Sequence, residues 1–261
     1  MNTTGSVKEK EKGHAFLSKL GKKVLRPGGR ELTEKLIATM EISSNDAVIE
    51  FAPGLGKSAA LLIEKNPKSY IGIDIDQAAI EKLNHKLGKS NVEFMYGNAS
   101  HTSLKENSAE RILAEAVLTM HADHRKREML REAHRILKVN GIIGLHELGI
   151  VPENIDEETK AEMTRDLAEI SHVNARPLTE TEWRNLLEME GFKVLKIMTN
   201  EMKLLEVKRL LADEGIFGAL KIGFKVMTHP NAKHRMLMMR KVFRKYSQNM
   251  RGIAITAQKI N

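Results

Sequence analysis

Apolar and polar positions along this chain follow two different periods, and the switches between them predict its elements. Ala47-Val48-Ile49-Glu50-Phe51 is a short apolar run entered through the turn-forming Ser43-Ser44-Asn45-Asp46, and it reads as a buried strand. Helical spacing follows from Gly56 to Glu64. Ser69–Asp74 predicts a second strand, with Asp76 capping a helix that runs to about Leu87. Asn91–Met95 and Arg111–Ala116 predict a third and a fourth strand. Asp123 reads as the cap of a strongly helical stretch reaching Leu137, and Asn140-Gly141 turns the chain into the strand Ile142–His146. Regular alternation of strand and helix is the pattern of a parallel sheet with crossover helices.

The flanks carry different patterns. Two helical stretches, His14–Val24 and Arg30–Met40, are separated by Arg26-Pro27-Gly28-Gly29. An acidic helical segment spans Pro152–His172, and Thr179 with Glu182 forms a capping box for the next helix. Gly191 ends that helix and Phe192–Ile197 returns as a strand. A basic, Met-rich stretch from Val207 to Met250 is mostly helical, and Gly252–Ala257 closes the chain as a last strand.

Composition narrows the class. The chain has 261 residues, which predicts one large domain or one domain with an appendage. No apolar run approaches the ~20 residues of a membrane span. The charged start at Ser6–Lys12 has no signal-peptide character, so the expectation is a soluble, cytoplasmic protein. Absence of Cys excludes a disulfide framework, Cys-ligated metal and a Cys nucleophile. The net charge of +8 is carried by the tail: residues 216–261 hold no Asp or Glu but do hold Lys221, Lys225, Lys233, Arg235, Arg240, Lys241, Arg244, Lys245, Arg251 and Lys259.

The richest stretch is Val48-Ile49-Glu50-Phe51-Ala52-Pro53-Gly54-Leu55-Gly56-Lys57-Ser58, a strand leading through small residues into a helix. A phosphate loop fails here, because its first glycine would fall on Phe51. A dinucleotide fingerprint fails at its last glycine, which would fall on Lys57. With Glu50 ending one strand and Asp74 ending the next, the chain instead resembles the class I S-adenosylmethionine-dependent methyltransferases. Their first motif, acidic–x–Gly–x–Gly–x–Gly, is matched by Glu50–Gly56 with Ala52 replacing the first glycine. Gly97-Asn98-Ala99 resembles the family's Gly–Asp–Ala, and Arg135–Gly141 its Arg–x–Leu–Lys–Pro–Gly–Gly turn, with Val139 and Asn140 as departures. The closest likeness within the family is to the small-molecule group that includes quinone-biosynthesis methyltransferases.

The resemblance implies an α/β fold: a Rossmann-like seven-stranded sheet, last strand antiparallel, with helices on both faces. Residues 1–40 would be cap helices on a catalytic domain spanning 41–261, and the helical insertions 151–176 and 206–250 would build the substrate chamber. It implies S-adenosyl-L-methionine as cofactor and S-adenosyl-L-homocysteine as product, with no metal. Asp74 would take the ribose hydroxyls, since a carboxylate offers two acceptors to a vicinal diol. Asn98 would keep an acceptor for the adenine, beside Ile75 and Ala99. Glu50, Ala52, Pro53, Gly54 and Gly56 would line the turn. Glu115 would face the methyl donor, and Arg26 with Gly29 would meet the methionine end. Glu50 and Asp74 also fit ordinary strand-end acids bonded to turn amides, Glu115 also fits a surface acid, and Arg26–Gly29 also fits a plain helix–helix corner.

For catalysis the first candidate base is His121, which follows the fourth strand, and Glu147 after the fifth is the second; His146 is also at that edge. His121, Asp123 and His124 lack the spacing of a zinc site. The acceptor is expected to be a small molecule, acidic or amphipathic, under a mobile cover formed by 206–250. The basic tail keeps other partners open: a nucleic acid, an RNA or protein acceptor, and an anionic membrane surface. A non-catalytic cofactor-binding protein is the remaining alternative.

Overall fold

The alternation in β1 (Ala47–Phe51) requires cover on both sides: Ile49 and Phe51 point into one core and Val48 into another. The computed structural model describes residues 13–21, 26–202, 215, 218, 220–222 and 224–260. Beside β1 lie β2 (Ser69–Asp74), β3 (Val92–Tyr96), β4 (Ala109–Glu115) and β5 (Leu137–Ile150), all parallel. A two-residue β6 (Leu178–Thr179) pairs with the end of β5. After β7 (Phe192–Glu201), the last strand β8 (Met250–Lys259) inserts antiparallel between β5 and β7. The resulting order is β3-β2-β1-β4-β5-β8-β7; its seven strands with the last antiparallel match the expectation, and the short β6 is an addition to it. The order reverses direction between β1 and β4, and ligands of open α/β sheets bind outside the strand ends at such a switch point.

Helices α2 (Gly29–Thr39), α3 (Lys57–Ile63) and α4 (Gln77–Leu87) cover one face, burying Leu36, Leu62 and Leu83 against Val48 and Tyr70. On the other face α5 (Asp123–Ile136) and α7 (Glu180–Met189) bring Met129, Leu130 and Trp183 onto Ile49 and Ile112. A third core lies beyond the carboxyl end of β5. There α1 (Gly13–Leu20), α6 (Glu157–Ser171) and α8 (Pro230–Lys245) pack Leu17, Leu167 and Met239 over Leu148 and Ile150.

Caps fall where expected at Asp76, which accepts from Ala78 and Ala79, and at Thr179, which forms its box with Glu182. Asp123 does not: Ala122 holds the cap position, and Asp123 instead binds the buried Lys126 ammonium at 2.6 Å. Strand β5 also starts earlier than Ile142, because Leu137 pairs with Ala109 before the register shifts. Asn140 takes a left-handed φ of 65° within that stretch, so the turn read from Asn140-Gly141 is a kink inside the strand. The far end of the first helical stretch and the start of the basic one, including Gly223, lie outside the described residues.

Candidate active site

The turn leaving β1 is left-handed three times, at Ala52 (φ 55°), Gly54 (φ 52°) and Gly56 (φ 71°). Only glycine adopts that region without a Cβ clash, which is why two of the three positions are glycine and why Ala52 is the strained departure. The turn is closed by Gly56 N–H donating to Pro53 O at 2.8 Å and anchored to β2 by Ala52 N–H donating to Ile73 O at 2.8 Å. Asp74 ends β2 with its carboxylate accepting from Gly54 N–H (3.1 Å) and Asp76 N–H (3.0 Å). A carboxylate has about four acceptor sites, so these two bonds leave room for further donors. Ile75 follows it with 63% of its surface exposed. Ala99 is buried in the core below. Asn98 is exposed, and its Oδ1 accepts from both the amide and the hydroxyl of Ser100 at 3.0 Å. The acceptor expected to be open at Asn98 therefore closes its own turn.

At the end of β4 the carboxylate of Glu115 collects donors from across the chain. Arg26 Nη1 reaches it at 2.7 Å and His146 Nδ1 lies 2.7 Å away. The hydroxyls of Thr33 and Ser58 also donate to it. Burial alone would raise its pKa, but the Arg26 guanidinium and these hydrogen bonds outweigh burial and hold it at about 2. His146 is wholly buried at the end of β5, with Nε2 bonded to Pro27 O. The lock thus fixes the Arg26–Gly29 turn over the strand ends, and Gly28 packs so close to β8 that a Cβ at Gly252 would meet Gly28 Cα at 2.7 Å. Arg26 also donates to Ser58 at 3.0 Å, yet its buried Nε has no hydrogen-bond partner.

Glu50, one strand over, is buried with Tyr70 Oη donating to it at 2.5 Å. Burial pushes its pKa up to about 8; the Tyr70 bond and Arg26 oppose the rise, while Glu115 and Asp74 add to it.

Glu147 is buried beside His146 and accepts from the amides of Val117 (3.0 Å), Leu118 (2.8 Å) and Thr119 (3.0 Å). Burial raises its pKa despite these donors. Its geometry is that of an anchor for the 3₁₀ turn Leu118–Met120. Glu147, Thr119 and Ser171 are also the polar members of a cavity of about 110 Å³, whose other walls include Leu17 of α1, Leu167 and Ile170 of α6, Met239 and Phe243 of α8, and Met120. The cap and both insertions therefore converge on one apolar space, reached also by Pro27 and Ala116. His121 is half-buried directly after Met120 but is not among the lining residues. Among the described residues no group of three His, Asp or Glu side chains is placed to hold a metal.

The fold thus brings Arg26, Glu115 and His146 together and keeps Asp74, Ile75 and Asn98 on the β2–β3 side. Sequence reasoning missed Thr33 and Ser58. Ser58 closes the glycine turn stretch, so its position was in view, but nothing local marks Thr33.

A sequence profile described as a methyltransferase domain matches residues 48–141. Over 253 residues the chain is 32% identical to an uncharacterized protein of Haemophilus influenzae, spanning 95% of this chain and 98% of that one. It is 23% identical over 214 residues to phosphoethanolamine N-methyltransferase of Plasmodium falciparum, spanning 75% of this chain and 80% of that one. Its fold is similar to that of Haemonchus contortus phosphoethanolamine N-methyltransferase 2, solved with phosphomonomethylethanolamine and S-adenosylhomocysteine. The TM-score is 0.70 at 15% identity, over 95% of this chain and 58% of that one.

Proposed function

This chain belongs to the class I S-adenosylmethionine-dependent methyltransferases, and from that premise we propose that its acceptor is a small molecule with a hydrocarbon body. The residues on the β1–β3 side fit the cofactor. Asp74 has acceptor sites left for the ribose diol, and exposed Ile75 offers an apolar wall for the adenine, beside Asn98 and Ala99. Ala52, Pro53, Gly54 and Gly56 supply the turn against which it lies. The orphaned Nε of Arg26, next to the Gly29 turn, is a buried donor suited to the methionine carboxylate. When bound, the cofactor supplies an electrophilic methyl group and leaves as S-adenosyl-L-homocysteine.

The observation that carries the acceptor reading is the apolar cavity at the ends of β4 and β5. Its volume of about 110 Å³ is below that of a 150 Å³ cavity known to take benzene, so it suits one compact apolar group. A phosphorylated amine, as named for the relatives above, would press a phosphate against Leu148, Leu167 and Met239; an aliphatic or aromatic body would not. The basic character of residues 216–261, which carry no Asp or Glu, favours an acidic head on the acceptor. Helices α1, α6 and α8, from the cap and the two insertions, form the chamber. Their work is to align the acceptor and exclude water. His121 is our base for acceptors that must lose a proton; Glu147 positions the turn that carries it.

The test is incubation with methyl-labelled cofactor and a fractionated metabolite extract, with RNA and protein fractions alongside. Label should enter acidic, solvent-extractable small molecules. Label in RNA or protein instead would replace this reading with a macromolecular acceptor served by the basic tail.

A further inference from the structure

We propose that this protein docks peripherally on anionic phospholipid bilayers through apolar side chains that its carboxyl-terminal helices turn to solvent. Residues 220–222 and 224–228 are helical. Their inner face is apolar: Ile222 is buried and Val226 packs with it in the core below. Their outer face is apolar too. Leu220, Phe224 and Met227 recur at helical spacing and are 65%, 70% and 80% exposed. A surface helix ordinarily turns polar residues outward, so a second apolar stripe marks an interaction surface. Helix α8 repeats the arrangement, burying Met236, Met239 and Val242 while exposing Leu237 and Met238.

Charge selects the partner. Residues 216–261 contain no carboxylate side chain, and Lys221, Lys233 and Lys241 are exposed on the same helices as the apolar residues. Lys245, by contrast, faces α6 and is bound by Glu162 at 2.9 Å and Asp166 at 2.8 Å. The positive charge away from α6 thus flanks the apolar stripe. Exposed Phe, Met and Leu with lysine flanks match a headgroup–acyl boundary of anionic lipid. Among the described residues of these helices a nucleic acid would find Phe224 as the exposed aromatic, a poor platform for stacking. Among the described residues no helix is long and apolar enough to cross a membrane, so the attachment is to the surface. This inference does not depend on the acceptor reading, although Met239 and Phe243 of the same α8 wall the cavity.

Cosedimentation of the full chain with vesicles tests it, using phosphatidylcholine alone or mixed with phosphatidylglycerol. Binding to the mixed vesicles should be at least about tenfold tighter than to neutral ones and should weaken as salt is raised. The double variant Phe224→Ser, Met227→Ser should lose about tenfold or more of that binding with an unchanged melting curve, because both side chains are solvent-exposed. Lys221→Glu and Lys241→Glu should each cost about fivefold. Equal binding to both vesicle types, or full binding by the double variant, overturns the proposal. So does a wild-type dimer in sedimentation velocity that the double variant dissolves, or RNA bound as tightly as the mixed vesicles.

Discussion

The carboxyl ends of β1 and β4 each bury a glutamate, and the two are held in opposite ionisation states. Glu50 has a phenol as its hydrogen-bond partner and carboxylates among its neighbours, so burial prevails and its pKa rises to about 8. Glu115 meets the same penalty, but the Arg26 guanidinium with donors from His146 and Ser58 brings it to about 2. Burial sets how much ionisation matters; the charge of the partner sets its sign. The end of β1 is therefore a neutral hydrogen-bonded pair, and the end of β4 is a charged lock that holds the cap turn down.

Removing the lock has the largest expected effect. Glu115→Ala strands the buried Arg26 charge, and breaking one half of a buried pair costs about 3–5 kcal/mol. Urea denaturation should show that loss, whereas Glu50→Gln, which keeps a neutral partner for Tyr70 and needs no proton uptake on folding, should cost no stability at neutral pH. Similar losses in the two variants would break the contrast.

The pH dependence sharpens it. Glu50, raised in the fold, binds a proton that the unfolded chain releases, so its contribution is full below about 4.5 and is lost as pH rises through about 8. Glu115, lowered in the fold, does the reverse: its contribution is full above about 4.5 and is lost as pH falls toward 2. Glu50→Gln should flatten the decline in stability between about pH 4.5 and 8 and leave the acid side unchanged. A Glu50→Gln profile that parallels wild type throughout would mean that the end of β1 is ionised after all.

Two variants separate the chemistry of the two ends. On the β4 side, His121→Ala should lower turnover by about 10²-fold while cofactor affinity is unchanged, as expected for loss of a general base. Unchanged turnover would leave alignment alone to explain the rate. On the β2 side, Asp74→Ala should weaken cofactor binding by at least about 1.5 kcal/mol in calorimetry, the value of a charge-assisted hydrogen bond. Equal affinity in a folded variant would remove the ribose assignment.

The two ends also differ in how far they can be read from residues in order. The β1 turn is local: left-handed backbone calls for glycine at Gly54 and Gly56, and Asp74 follows from the strand beside it. The β4 lock is not. Its partners come from Arg26, Thr33, Ser58 and His146, brought together only by strand order and by α2 packing on the sheet. A polar His146 inside the apolar run Ile142–Leu148 was the available sign that a buried partner was needed. Asn98 shows the converse: its side chain was legible as an acceptor, but the turn to Ser100 that occupies it was not. The apolar cavity likewise depends on which faces of α1, α6 and α8 meet, and that is a tertiary fact.

The smallest expected effect bears on the β1 turn itself. Ala52 stands where the family's first motif has glycine, and its φ of 55° carries the strain that a Cβ brings to left-handed backbone, about 1–2 kcal/mol. Glycine would relieve it, while loosening the unfolded chain by about 0.4–1 kcal/mol. Ala52→Gly should therefore stabilise the protein by about 0.5–1 kcal/mol, read as a higher urea midpoint at an unchanged slope. Cofactor affinity should hold, because the backbone path and the Ala52 N–H to Ile73 O bond are kept. A destabilised variant would show that the methyl group contributes more by packing than it loses by strain, and the departure from the motif would then be a stabilising substitution in its own right.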